Sequence, residues 1–593
     1  MKRILGLALA TAMTTSMIGT AALAAPNDKA NPRAHEVAAQ NNGKAKGKDK
    51  VPDARTVDVQ LLHFSDFHGH LEAERVGSGE AARFYGGAAY LAGMADQLEA
   101  AFDGPTFRVN SGDSIGGSTF VSGIFQDEPT IHVLNAMGID ASSVGNHEFD
   151  EGVEELMRIV NGGNHPELGG FDDEPYPGTN FPYLAANVVW KDSGEPILPP
   201  YVVQSYKGVK VGFIGVVTSE TDSLVSPAGI TEVDFLDEAT TLNRYAAELQ
   251  AQGVETIVAL THEGGFDAGT YPSPITAADV NAGCGSISGP ILDINADTTA
   301  AVDAIMTGHT HNAYVCQLTD PAGQPRQVNS SGDWARIINE TTFKVDRKTK
   351  DVIRTSFASE NHVITPDGPV NTEIEAIVDE WVAKAAVPAA VVVGSVTADI
   401  TGDAISTNRA SETPMADLIA DSILWGTQDA GAQISFMNVA GVRDSLLFSE
   451  ISNGEAPGEV TFQEAYNVMP FSNFLVTFDM TGAQIEAALN QQFDANRGRN
   501  QLALGVSEGF TYTWDATNRR VVPGSMTLNG VALQPGTTYR VSTISFLADG
   551  GDRFFAFANG APRTGGAEDL ANFVAYLGAE SPVSPPADRV PGI

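Results

Sequence analysis

The sequence predicts an α/β protein of two main regions joined by a helix. Three observations carry that reading. At 593 residues the chain is longer than one ordinary domain. Its 42% hydrophobic and 18% charged residues are a globular composition. Between residues 56 and 345, short apolar runs alternate with helical stretches, as strands alternate with crossover helices.

The first element is a targeting segment. Lys2 and Arg3 precede an apolar run that ends near Ala22-Leu23-Ala24, a small-x-small cleavage site. Residues 1–24 therefore read as a secretory signal peptide. An uncleaved membrane anchor is the alternative, and the cleavage motif and the polar residues behind it favour export. The mature chain is expected outside the cytoplasm, extracellular or periplasmic, with no membrane association after cleavage. Residues 25–55 read as a disordered polar leader without hydrophobic periodicity.

The first 55 residues hold nine basic and four acidic residues, so the remainder carries −44 against a formal total of −39. Such acidity argues against a nucleic-acid polymer as partner. It also means that a phosphate site must supply its own positive charge, from metals or arginines.

From 56 to 365 one pattern recurs: an apolar strand stops and a metal-type residue follows. A strand over 57–64 ends at Asp66 and His68. One over 106–110 ends at Gly112-Asp113, one over 142–144 at Gly145-Asn146-His147, one over 256–260 at His262, and one over 304–307 at Gly308-His309, with His311 two residues on. Helices are expected over 88–102 and 131–137, and a further strand over 209–217. In α/β folds, sites gather at the carboxyl ends of strands. Mixed nitrogen and oxygen donors of this kind suit zinc, manganese or cobalt better than calcium or magnesium. Two such ions, about 3.5–4 Å apart, can hold a phosphate ester and activate water for in-line attack.

Residues 370–387 read as one helix, with Asn371 as cap and Ile374, Ile377, Val378, Trp381 and Ala385 on one face; Pro388 is expected to end it. It is either a connector or a peripheral helix of the first region. Residues 390–575 form a second α/β region, with Thr413-Pro414 opening one helix and Thr481 capping another. The Pro-rich stretch 576–593 reads as a flexible tail. The two cysteines, Cys284 and Cys316, suggest a disulfide in an exported chain, with two free thiols as the alternative.

Separately these motifs are weak. Together, "HFSDFHGH", "VNSGDSIGGS", "SSVGNHEFDEG", "ALTHEGG" and "MTGHTHN" resemble the calcineurin-like metallophosphoesterases, and specifically the 5′-nucleotidase family. That resemblance implies a four-layer αββα metallophosphoesterase sandwich followed by a nucleotide-binding C-terminal domain. It implies two divalent metal ions: Asp66, His68 and His311 on one, Asn146, His262 and His309 on the other, and Asp113 bridging. The family often has Gln or Asn where this chain has His311. By the same resemblance His147 faces the phosphate with Asp150 behind it; an N-cap role for Asp150 is compatible.

In the second region the resemblance assigns Phe471 and Phe546 to a base sandwich, Asp552 to the ribose hydroxyls, and Arg409, Asn438 and Arg443 to the substrate pocket. A second arginine found in some members is Ile405 here. The implied activity is hydrolysis of nucleoside 5′-monophosphates. The alternatives are a 2′,3′-cyclic-nucleotide phosphodiesterase with 3′-nucleotidase activity, a UDP-sugar hydrolase, a thiosulfate-oxidising relative, or a catalytically inactive nucleotide-binding surface protein.

Overall fold

The computed structural model describes residues 55–76, 82–172, 174–206, 208–225, 227–266, 274–281, 283–285, 287–402, 409–471, 473–495, 497 and 500–593, all within one compact unit. The expected signal peptide, nearly all of the leader, and Ile405 lie outside the described residues.

Two six-stranded sheets make the first region. Across one, the order is Ala358–Val363, Ile337–Asp346, Thr56–Phe64, Thr106–Ser111, Ala141–Ser143, Tyr183–Leu184. Across the other it is Ala313–Thr319, Pro325–Ser331, Ala304–Thr307, Thr256–His262, Val209–Val217, Tyr201–Tyr206. In the first sheet Thr56–Phe64, Thr106–Ser111, Ala141–Ser143 and Tyr183–Leu184 run parallel, as do Pro325–Ser331, Ala304–Thr307, Thr256–His262 and Val209–Val217 in the second, so the carboxyl ends of these strands fall on one edge.

Strand periodicity explains the layering. Val57, Val59 and Leu61 of the first sheet meet Val211, Phe213, Val258, Leu260 and Met306 of the second in one apolar layer. The alternate residues face outward. Leu62 and Phe64 pack with helices Ala88–Ala101 and Glu128–Met137. Ile214, Val216, Ile257, Ala259 and Ile305 pack under helix Glu238–Ala251. The result is the αββα sandwich. Each fully buried aliphatic or aromatic side chain in these layers stabilises the fold by roughly 1.5–3 kcal/mol.

The helix Thr372–Ala389 forms where expected, with the Asn371 side chain accepting from the amides of Glu373 and Ile374. Pro388 does not end it. The proline lies inside the last turn, where its missing N–H costs a single bond, and the helix runs one residue further. Trp381 is buried against Phe125 and His132, so this helix packs on the first region's helices while also touching helix Phe462–Val468.

The second region is built on a five-stranded sheet, ordered Leu504–Val506, Ile434–Asn438, Thr538–Ile544, Phe474–Thr481, Thr564–Glu568. Thr413 caps helix Pro414–Gly426, and Thr481 with Gln484 forms a capping box on helix Gly482–Asn490. The flexible tail is a correction. Helix Asp569–Glu580 takes up its start, and the last residues are docked. Arg589 forks onto both oxygens of Asp421 at 2.8 Å, and the amides of Arg589 and Val590 donate to Glu412. The two regions meet closely: the Tyr466 hydroxyl donates to the Ser118 carbonyl at 3.2 Å, and its ring stands edge-on to Phe120. Among the described residues no helix is long and apolar enough to cross a membrane.

Candidate metal centre and substrate pocket

Each strand that ends at the shared edge must turn sharply while its next side chain stays between the sheets. The backbone records this. Asp66, His68, Asp113, His309 and His311 all have left-handed φ, between 46° and 70°. A non-glycine residue there costs about 1–3 kcal/mol and persists only where its surroundings fix it. The loops are pinned to one another. The Asp66 amide donates to the Gly112 carbonyl, the His68 amide to the Asp113 carbonyl, and the His309 amide to Asp66 Oδ1, at 2.9–3.0 Å. Gly145 has no room for a side chain, since a Cβ would stand 2.1 Å from Asp113 Oδ1.

Glu148 secures this crossing, and the sequence reading missed it. Its buried carboxylate accepts from the amides of Asp113 at 2.9 Å, Ser114 at 2.8 Å, and Gly145. Its only signal was its place directly after Asn146-His147.

Three groups of possible ligand atoms result: Asp66, His68 and His311; Asp113, His262 and His309; and His68, Asp113 and His147. Asp113 Oδ2 lies 3.0 Å from His262 Nε2 and 3.6 Å from His68 Nε2. His311 Nε2 is 3.5 Å from Asp66 Oδ1. Asn146 Oδ1 is 2.9 Å from His309 Nδ1. All seven expected ligands are thus at one edge of the sandwich.

The donor set fits divalent cations. His68 Nδ1 faces the Gly116 carbonyl at 2.8 Å and His262 Nδ1 the Ser111 carbonyl at 2.7 Å. A carbonyl only accepts, so Nδ1 carries a proton in both rings and Nε2 points at the cluster. His68 Nε2 and Asp66 Oδ2 are buried without a hydrogen-bond partner, which a cation would satisfy.

Burial holds His68 well below the usual histidine range and His309 down at about 3, so both are neutral. His262 is the opposite case. Burial opposes its charge, but the Asp113 carboxylate outweighs burial and pushes it up to about 10. A cation held by His262 and Asp113 would have to displace that proton, so its uptake would strengthen as pH rises.

His147 Nδ1 lies 2.8 Å from Asp150 Oδ2. Burial works against a charged ring, yet Asp150 and Asp113 raise its pKa above the ordinary value. Asp150 is not the N-cap expected of it: Glu151 holds that position on helix Gly152–Asn161, and Asp150 closes the short turn of helix His147–Phe149 before it.

Five of the six residues expected at the substrate fall into two groups. Phe471 stacks on His147, centroids 5.9 Å apart and planes 21° from parallel, and the Arg443 guanidinium lies 4.6 Å from the centre of the same Phe471 ring. In the second group Asn438 Nδ2 donates to Asp552 Oδ2 at 2.8 Å, and the Phe546 ring occupies the space above Gly551. Asn473, unremarked in the sequence, joins them: its Oδ1 accepts from the Ser545 hydroxyl and the Phe546 amide, both at 3.2 Å. Arg409 is half-buried, its carbonyl accepting from the Ala503 amide. Cys316 is buried, and the half-buried Cys284 packs against the same apolar cluster.

A two-sheet sandwich with His, Asp and Asn gathered where its parallel strands end is the architecture of a metallophosphoesterase. Comparison with known proteins makes this specific. The family model for calcineurin-like phosphoesterases matches residues 59–313, and that for the 5′-nucleotidase C-terminal domain matches 392–559. The chain is 35% identical over 550 residues to Cell wall protein Lmo0130 of Listeria monocytogenes, covering 88% of this chain and 67% of that one. It is 31% identical over 500 residues to Endonuclease YhcR of Bacillus subtilis, spanning 83% of this chain but only 37% of the relative. The solved 5′-nucleotidase precursor from Thermus thermophilus shares the fold, with a TM-score of 0.69 at 24% identity, over 90% of this chain and 99% of that one. The chain belongs to the calcineurin-like phosphoesterases that carry a 5′-nucleotidase C-terminal domain, and is a metal-dependent phosphoric-ester hydrolase.

The close approach at Gly145 gives a direct check. Gly145→Ala displaces Asp113, and hydrolysis of a simple phosphate ester is expected to fall by about 10²-fold, the cost of misplacing a reacting group by roughly 1 Å. Parent-like rates in that variant would show that the crossing tolerates a Cβ.

Proposed function

We propose that the protein hydrolyses nucleoside 5′-monophosphates to nucleoside and phosphate, outside the cytoplasm, at two divalent cations of the zinc, manganese or cobalt type. The observation that carries the reading is the stack of Phe471 on His147. An aromatic ring of the expected base pocket lies against the imidazole expected to face the phosphate, a spacing that suits a substrate with a base close to its ester.

Asp66, His68 and His311 would hold one cation, Asn146, His262 and His309 the other, and Asp113 would span them. When bound, the pair would polarise the ester and lower the pKa of a water. The chain's own groups do the rest. His147, whose charged form Asp150 favours, places an Nε2 proton where it can stabilise developing charge or reach the leaving oxygen. Arg443 and Arg409 offset the acidic surface at the phosphate. Phe471 and Phe546 would stack on the base at about 1–3 kcal/mol per contact, with Asp552, tied to Asn438, near the ribose.

One relative is named an endonuclease, which favours phosphodiesters as a second reading. The −44 charge of residues 56–593 weighs against a polymer. Export is supported by the leader composition and by a relative named for the cell wall. A bridge between Cys284 and Cys316 is part of the same proposal, being suited to an oxidising compartment.

Purified protein assayed on AMP, 3′-AMP, 2′,3′-cyclic AMP, UDP-glucose and single-stranded DNA is expected to prefer AMP. Chelation should abolish turnover, and His147→Ala should lower kcat on AMP by about 10²–10⁴-fold. Faster cleavage of a diester, or an unchanged rate in the variant, contradicts the reading. For the cysteines, intact mass after alkylation of the denatured chain without reductant is expected to show no added label; two labels would mean free thiols.

A further inference from the structure

His311 differs from the other histidines of the centre. His68 and His262 are buried and turn Nδ1 to backbone carbonyls. The His311 side chain is 28% exposed, and its Nδ1 instead faces a carboxylate, Asp333 Oδ2, at 3.2 Å. Asp333 is itself held. Its other oxygen lies 3.6 Å from Arg336 Nη1, and Arg336 Nη2 donates to Glu74 at 3.2 Å. The Arg336 guanidinium lies 4.2 Å over the Trp334 ring, and His70 stacks on Trp334 at 4.6 Å with planes 8° from parallel.

The backbone of this turn is also committed. Trp334 and Ala335 both have left-handed φ, 56° and 57°. That reversal presents the Asp333 carboxylate to His311 while the Trp334 amide donates to the Asp66 carbonyl at 2.8 Å. One short turn thus touches two of the three residues of a single ligand group, Asp66 and His311.

We propose that Asp333 is a positioning residue that makes His311 a committed ligand, and that the turn from Asp333 to Arg336 sets cation affinity at the Asp66, His68 and His311 group separately from the Asp113, His262 and His309 group. Accepting the Nδ1 proton fixes the tautomer that leaves Nε2 toward Asp66, restrains a ring with access to solvent, and increases its basicity as a ligand. A carboxylate does this for the exposed ring, where water would otherwise compete for Nδ1. The inference rests on the two-cation reading of the site.

The test is calorimetric titration of the chelator-treated full chain with Mn²⁺. Parent protein is expected to bind two equivalents. Asp333→Asn is expected to weaken one of them by about 10–100-fold, the usual effect of removing a ligand's outer partner, and to leave the other unchanged. Arg336→Gln should weaken the same equivalent less, and serves as the second variant if the first does not fold. In a His311→Asn background, which has no ring nitrogen to orient, Asp333→Asn should add nothing. Mn²⁺ affinities equal to the parent's in a folded Asp333→Asn overturn the inference, as does equal weakening of both equivalents or a full further loss in the His311→Asn background. A parent that binds fewer than two equivalents instead contradicts the two-cation reading itself.

Discussion

The centre depends on keeping one carboxylate, that of Asp113, charged and buried between two sheets. Burying an unpaired carboxylate is costly, so it must be surrounded by donors or cations. Here Oδ1 takes the His147 amide at 2.8 Å, while Oδ2 faces the Nε2 atoms of His262 and His68. Those three partners come from three different loops. They converge only because the parallel strands stop at one level, because Gly112 and Gly145 leave out side chains at the crossing, and because Glu148 ties the Asp113 and Gly145 loops together. The left-handed residues along this edge are the local cost of that convergence.

The second region extends the same logic from charge to shape. Its contact with the first is made where Tyr466 reaches Ser118 and Phe471 lies on His147, next to Gly117, whose missing Cβ leaves the ring room. The group that faces the phosphate and the ring expected to meet the base are therefore neighbours in space, though more than 300 positions apart in sequence. Asn473 carries the connection on to Phe546, beside the Asp552 turn.

Much of this was legible in the sequence because it is local. Alternation of apolar residues marked the strands, and a glycine or a strand end followed by Asp, Asn or His marked each ligand loop. What was not legible is pairing across distance. Asp333 and Asn473 look like ordinary loop residues until folding brings them to His311 and Phe546. Asp150 stands where a cap residue would, but its carboxylate is directed to His147. The Pro-rich end reads as loose by composition, yet Arg589 finds Asp421, 168 positions away. Pro388 shows the reverse error: a local helix-stop rule fails where the last turn has few bonds left to lose.

The most direct test of the central claim is anomalous diffraction from crystals of the protein soaked in Mn²⁺. Two peaks are expected on either side of the Asp113 carboxylate, one flanked by Asp66, His68 and His311 and the other by Asn146, His262 and His309. Density for a single ion, or peaks away from these side chains, would contradict the account.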